Sequence, residues 1–467
     1  MFLKTRHIHF VGIGGIGMSG IAEVLCNLGY QVSGSDLRRS PSTSRLEGMG
    51  VQVALGHDPS NVEGSHVVVR SSAVREDNPE VIAAREAGIP VIPRAEMLAE
   101  LMRMKQGVAV AGTHGKTTTT SLLAALFEAG GLDPTIVVGG KLNSVGTNAV
   151  LGRGEWMVAE ADESDGSFLH LSPILSVVTN IDPEHLEHYG SVAALHEAFV
   201  TFINKVPFYG AAVLCLDHPV LQQLLPLVTK RYLTYGFTSQ ADFQAVDATI
   251  REGVARFSVM SGDDFLGPVV LKMPGRHNIL NALAAIAIAM EAGIPFPVIQ
   301  QAMERFEGVQ RRFTIRQQHA GVTVIDDYAH HPAEIAATLE AASESYGRRV
   351  VAVWQPHRYT RVRDLYAEFM RSFNDCGLLL VLDIYRAGED PIEGVHSESL
   401  VRDLRQHGHK NAFYTSDRSA VLDKLRSRLR KGDVVITLGA GDVTQLSHDI
   451  AGVVASMSPP TLEMEAV

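Results

Sequence analysis

Cysteine is scarce: Cys26, Cys215 and Cys376 are the 3 in a chain of 467 residues. They lie far apart in apolar sequence, which excludes a disulfide framework or a cysteine metal cluster and points to core packing. Positive charge is in deficit. The 41 Lys and Arg face 52 Asp and Glu, a formal net charge of -11. That disfavours a nucleic-acid or anionic-membrane surface but leaves room for a local basic pocket. No apolar span of about 20 residues is present. The early apolar run is interrupted by glycines at 12, 14, 15, 17 and 20, which excludes the hydrophobic segment of a signal peptide. Short repeats and low-complexity tracts are absent too. At 46% hydrophobic and 20% charged residues, the composition is that of ordinary globular protein. The expectation is a cytoplasmic protein.

What is present is a repeated α/β pattern. His7–Val11 reads as a strand running into a Gly-rich turn, followed by a helix over roughly Met18–Leu28 and a strand from Gln31 to near Asp36. Further alternation follows: a strand at 65–71, a helix at 79–87 and a short strand at 90–93. A second strand–turn–helix start comes at Gly107–Ala111, with strands near 156–160, 174–179 and 211–216, short strand-like runs over 230–275 and an Ala-rich helix at 277–291. A third restart appears at Gly321–Ile325, with strands near 349–354, 378–383 and 433–438. Alternation of this kind predicts parallel α/β domains, with boundaries at 1–105, 106–314 and 315–467. The tail from Ser456, with Pro459-Pro460, is expected to be mobile.

Two glycine loops carry chemistry. Gly12-Ile-Gly14-Gly15-Ile-Gly17 fits G-x-G-x-x-G between strand and helix, where glycines let the backbone approach a diphosphate. Asp36 stands about 20 residues on, where a ribose-binding acid belongs. Alone, this loop reads as NAD binding, although any diphosphate satisfies the same geometry. The second loop, Gly112-Thr113-His114-Gly115-Lys116-Thr117-Thr118, is the stronger signal. Its backbone N–H groups can cradle phosphate, Lys116 can reach the terminal phosphates, and the Thr117 hydroxyl can ligate Mg²⁺. It departs from G-x-x-x-x-G-K-[ST], with Val110 where the first glycine should stand. Glu160, Asp162, Glu163 and Asp165 then crowd the end of a strand. Glu160, nearest the strand end, is the expected metal ligand; Glu163 reads as part of a solvated loop. His185, beside Asp182 and Glu184 at the close of the next strand, can hold a second metal.

The sequence 112–119 resembles the ATP loop of the Mur ligase family. Ala-Glu-Ala-Asp-Glu-Ser-Asp at 159–165, Thr-Asn-Ile-Asp at 179–182, Pro-Gly-Arg-His-Asn-Ile-Leu-Asn at 274–281 and Gln-Arg-Arg-Phe at 310–313 are similar to that family in the same order. So are Asp-Asp-Tyr-Ala-His-His-Pro at 326–332, Gln-Pro-His-Arg-Tyr-Thr-Arg at 355–361 and Gly-Ala-Gly-Asp at 439–442. The run at 12–20 resembles the alanine-adding branch in particular.

The resemblance implies an α/β protein of three domains: a Rossmann-like UDP-binding domain, a central P-loop ATPase domain and a C-terminal Rossmann-like domain that closes the site. It implies that Gly14, Gly15 and Ile16 line the diphosphate of UDP-N-acetylmuramate, with Asp36, Ser71 and Ser72 near the uridine. The implied reaction phosphorylates the sugar carboxylate with ATP and passes the acyl phosphate to the amine of L-alanine. Lys116 and a pair of Mg²⁺ ions would neutralise the transferring group, with Thr117, Glu160 and His185 as metal ligands. Asn278 and Asn281 are implied at the adenine. Tyr328, His357, Arg358 and Arg361 face substrate, and Arg311 and Arg312 sit where they can touch phosphate. Some Mur ligases carry a carbamoylated lysine on the helix after the His185 motif. Here Glu197–Ile203 has none and Lys205 lies beyond, so that modification is not expected. A tripeptide-recycling ligase is the alternative within the family. A nicotinamide oxidoreductase and a non-catalytic ATP-binding regulatory module are the alternatives outside it.

Overall fold

The computed structural model describes residues 5–138 and 149–457, the Ile16 side chain excepted; the Pro459-Pro460 tail lies outside them. Three sheets organise the described residues. The first has five parallel strands: His7–Val11, Gln31–Asp36, Gln52–Leu55, Val67–Arg70 and Val91–Pro93. In sheet order the third comes first, then the second, the first, the fourth and the fifth. The order reverses beside His7–Val11, so its loop and the loop after Val67–Arg70 flank one crevice. Such switch points are where open α/β sheets bind ligands.

The second sheet has ten strands. Its centre is Gln106–Ala111, paired in parallel with Trp156–Glu160 on one side and Leu175–Val178 on the other. Every residue of Gly107–Ala111 is buried, which is why the segment reads as a continuous small-apolar run rather than an alternating one. The third sheet has six strands and is parallel apart from one edge. That edge is Thr314–His319, antiparallel to Val322–Asp327 and broken by a bulge between Ile315 and Gln317. It is absent from the sequence expectation because its Thr-Ile-Arg-Gln-Gln-His run lacks the apolar signature of the inner strands. The helix Pro41–Gly48 and the strand Gln52–Leu55 were likewise not expected.

By packing, the chain gathers into two compact units. One comprises Met1–Asp247, Phe257–Val269 and Leu280–Glu307; the other comprises Ala248–Arg256, Val270–Ile279 and Gly308–Val467. The core of the second unit is layered on both faces of its sheet. Trp354, Phe369 and Phe373 pack on one face, and Val353, Val435 and Ile450 on the other. Cys215 and Cys376 are free and buried, whereas Cys26 is partly buried.

Candidate active site

The first glycine loop is built from the strand beneath it. The N–H groups of Gly12 and Ile13 both donate to the Ser35 carbonyl, at 2.9 and 3.0 Å. Asp36 reaches up so that its carboxylate accepts from Gly14 N–H at 2.8 Å. A Cβ on Gly14 would meet that carboxylate oxygen at 2.8 Å. Gly15 precedes the helix Ile16–Asn27, whose N-terminus has no side-chain cap. The loop's own N–H groups are taken within the fold, so the first-turn N–H groups of that helix are the donors a diphosphate can meet. Ser71 lies beside Gly12, as the pairing of Val11 with Arg70 requires. A cavity of about 270 Å³ opens there, lined by Arg70, Ser71, Ser72, Arg94, Asp165 and His170 among others. Arg94 was not anticipated. Its guanidinium passes over Gly17, where a Cβ would meet it at 2.6 Å, and continues to Asp162 at 3.7 Å.

The second loop sits between two strand ends. Register pairs Val110 with Glu160 and Ala111 with Val178. Glu160 thus flanks the loop on one side and Thr179-Asn180 on the other. Val110 is a buried strand residue, so the turn runs from Gly112 to Gly115 and is two residues shorter than the general pattern. Both glycines have positive φ, +126° and +86°. A Cβ on Gly112 would meet Thr179 Oγ1 at 2.1 Å, and one on Gly115 would meet Asn281 Oδ1 at 2.4 Å. Asn281 also accepts from Thr119 Oγ1 at 3.3 Å. Asn278 donates its amide to the Pro274 carbonyl at 2.7 Å, within its own segment.

Thr179 and Asn180 clamp the loop. Thr113 N–H donates to the Asn180 carbonyl and His114 N–H to Asn180 Oδ1, while Asn180 Nδ2 and Thr179 Oγ1 both donate to the His114 carbonyl. His114 also lies 3.3 Å from Asp182 and 3.4 Å from Glu184. His185 follows in left-handed backbone, φ 58°, as the cap of the short helix Leu186–Tyr189. Thr117 and Thr118 lie in the first turn of Lys116–Ala129, which has no side-chain N-cap.

One expectation is corrected here. Glu163 is not part of a solvated loop: it is 2% exposed and sits 2.9 Å from Lys116. Burial works against the Lys116 ammonium, but Glu163, Asp162 and Glu160 outweigh it and raise its pKa. Glu160, Asp162 and Glu163 thus gather beside the phosphate loop, with Lys116 and Arg94 as their cations. That donor set suits a hard divalent cation.

In the second unit, the parallel register sets Asp327, Leu438 and Trp354 level, so the loops after them cluster. Arg311 donates to the carbonyls of Gly439 and Gly441 and lies over the Tyr328 ring at 4.7 Å; Arg312 lies at 5.3 Å from the same ring. Arg361 Nη1 is 3.3 Å from His357 Nδ1. The His357 ring stacks on Tyr385 at 5.5 Å and meets His330 edge-on at 5.8 Å. Arg358 caps the next helix with φ 68° and donates its N–H to the Tyr385 carbonyl. Burial leads in lowering the pKa of both His330 and His357 to about 4, with nearby arginines adding to it. Both are neutral at pH 7. Tyr328, His357, Arg358, Arg361 and Arg312, expected from sequence, thus share this region with His330 and Tyr385, which were not.

Comparison with known proteins agrees along the chain. Residues 7–106 match the Mur ligase family catalytic domain, 110–289 the Mur ligase middle domain, and 311–441 the Mur ligase glutamate ligase domain. The UDP-N-acetylmuramate–L-alanine ligase of Geotalea uraniireducens is 56% identical over 450 residues, covering 96% of this chain and 98% of the relative. The chain belongs to the Mur ligase family. Another relative of that name, from an Anaeromyxobacter species, is 57% identical over 449 residues, covering 96% of this chain and 98% of its own. Among solved Mur ligases, the UDP-N-acetylmuramate–alanine ligase of Thermotoga maritima superposes with a TM-score of 0.79 at 29% identity. That match covers 96% of this chain and 98% of the other. A murein peptide ligase from Psychrobacter arcticus shares the fold, with a TM-score of 0.68 at 22% identity, over 97% and 99% of the two chains. The three-domain α/β fold is therefore that of a Mur ligase.

Proposed function

We propose that this Mur ligase joins L-alanine to the carboxylate of UDP-N-acetylmuramate, forming ADP and phosphate, as a step in making peptidoglycan precursor. The carrying observation is a short phosphate loop flanked by Glu160 and clamped by Asn180, in a chain that matches ligases of that name along 96% of its length. A carboxylate is a poor acceptor for an amine at neutral pH, so it must be activated. Phosphoryl transfer from ATP does this, and the amine then displaces phosphate through a tetrahedral intermediate.

Residues 1–105 form the UDP-sugar domain in this reading. Gly14, Gly15 and Ile16 approach the diphosphate and Asp36, Ser71 and Ser72 lie near the uridine; Ser71 and Ser72 line the cavity together with Arg70, Arg94 and Asp165. Residues 106–314 form the ATP domain. Gly112–Thr118 receive the phosphates, Lys116 neutralises the transferring group, and Asn278 and Asn281 serve the nucleotide base. Thr117, Glu160 and His185 would hold Mg²⁺, which would supply charge neutralisation at the transferring group; the place of Glu160 among the acids beside Lys116 supports its part in this donor set. Residues 315–467, with Arg312 just before them, supply Tyr328, His357, Arg358 and Arg361. The planar guanidinium fork suits carboxylate and phosphate oxygens, and His357 lies against Arg361, its Nδ1 3.3 Å from Nη1. Among the described residues no helix is long and apolar enough to cross a membrane, and the enzyme works in the cytoplasm.

The test is phosphate release with ATP and UDP-N-acetylmuramate against a panel of amino acids and the recycled tripeptide. The expected outcome is release that needs both the UDP-sugar and L-alanine. Release with the tripeptide in place of alanine would make it the recycling ligase. ATP binding with no phosphate release in the presence of both acceptors would make it a non-catalytic ATP-binding regulatory module.

A further inference from the structure

Lys116 is the loop side chain whose charge the reaction needs at the phosphates, and in the structure the protein itself meets all three of its donors. An ammonium has three N–H donors. Here they meet the Gly112 carbonyl at 2.6 Å, the Thr113 carbonyl at 3.0 Å and the Glu163 carboxylate, both of whose oxygens lie at 2.9 Å. The side chain is folded back across its own loop. Glu163 is itself set from the backbone: its carbonyl accepts from the Tyr189 hydroxyl at 2.5 Å and from Gly166 N–H at 3.0 Å. A buried charge left without its partner is strongly unfavourable, so the pair opens only when another anion takes the ammonium.

We propose that Glu163 is a positioning residue for the nucleotide step, a latch that keeps Lys116 withdrawn until nucleotide phosphates displace it. This rests on reading Gly112–Thr118 as the ATP loop. An incoming polyphosphate gives the ammonium a more highly charged anion, so Lys116 exchanges partners without standing bare. The latch lowers apparent nucleotide affinity, because the competent arrangement must first be reached. It also speeds product release, because Glu163 recovers Lys116 as ADP leaves.

The experiment uses the full chain and the variant Glu163→Gln, which keeps size and removes charge. Dissociation constants for ATP and ADP are measured by titration without UDP-sugar or amine, and kcat and KM for ATP in the complete reaction. A charge-assisted contact of this kind corresponds to a change of about tenfold in binding. The expected result is ADP bound about tenfold tighter, a lower KM for ATP, and a lower kcat as ADP release slows. Glu163→Asp keeps the charge on a shorter arm and should fall between the variant and the unaltered enzyme. A residue that merely holds the fold would weaken binding and lower the unfolding midpoint without splitting KM from kcat. Unchanged or weaker ADP binding by a folded Glu163→Gln overturns the latch. If that variant does not fold, unchanged or weaker ADP binding by Glu163→Asp overturns it. Failure of the unaltered chain to bind ATP or ADP overturns the loop assignment as well.

Discussion

With Glu163 as a latch, Lys116 faces phosphate during turnover and Glu163 between turnovers, and its removal should show both. Lys116→Ala should lower phosphate release by about 10²–10³, the usual cost of losing one charge-stabilising group at a reacting centre. It also strands the buried Glu163 carboxylate, so the unfolding midpoint should fall. Adding Glu163→Gln to Lys116→Ala should recover stability and leave turnover low, as parallel denaturation and phosphate-release measurements would show. Full recovery of turnover would remove Lys116 from the chemistry. The metal residues allow a second separation. His185→Ala should still bind MgATP through Thr117 and Glu160 and should fail in phosphoryl transfer to the acceptor. Glu160→Ala should be worse, and the double variant little worse again, since groups acting as a unit are not additive. Nucleotide affinity and single-turnover transfer across Mg²⁺ concentrations check this; wild-type behaviour of His185→Ala at every concentration would exclude His185 as a ligand.

At the scale of elements, the phosphate loop is determined by two backbone positions. Gly112 combines φ +126° with a neighbour at 2.1 Å from any added Cβ. Gly112→Ala therefore strains the backbone and pushes Thr179 out of the clamp that holds the His114 carbonyl. The expected outcome is ATP binding weakened by more than about tenfold together with a lower urea midpoint. Normal ATP affinity would mean that the clamp does not shape the site. The loop and its flanking strand and helix were legible from sequence because glycine, strand and helix signals lie side by side. Thr314–His319 and Pro41–Gly48 were not. The first is a polar, bulged edge strand whose only pairing among the described residues is with Val322–Asp327. The second is an eight-residue helix that begins from the reciprocal Ser40–Thr43 capping box, with only Thr43 and Leu46 buried. Its apolar periodicity is too short to stand out.

For the whole molecule, two measurements follow. Titration of the full chain should show UDP-N-acetylmuramate binding in preference to NAD; tight NAD binding with no UDP-sugar binding would refute the role given to the first loop. The second measurement is stability against pH. His330 is largely buried, with its folded pKa near 4 against an ordinary 6.5. A depressed histidine pKa means that the unfolded chain takes up protons first, so stability is full above about pH 6.5 and falls as pH drops toward 4. At pH 5 the loss from His330 alone is about 2 kcal/mol. His330→Asn should flatten the difference in unfolding free energy between pH 7 and pH 5; an unchanged slope would show that His330 is not the group responsible.

The sequence by itself determined the strands and helices that frame the two glycine loops, the loops themselves, the family resemblance, and the identity of Lys116, Glu160, Arg358 and Arg361 as candidates. These are local patterns, and local patterns survive in a linear reading. Tertiary structure decided which loops are neighbours. Placing Gln106–Ala111 between Trp156–Glu160 and Leu175–Val178 turns Asn180 into a clamp and Glu163 into the partner of Lys116. The reversal of strand order beside His7–Val11 sets Ser71 against Gly12, and the packing of the first unit carries Arg94 to Gly17 and Asp162. None of this is written in composition or periodicity, because strand pairing joins residues tens of positions apart, and burial sets the charge partner of an acid only after the chain has closed around it.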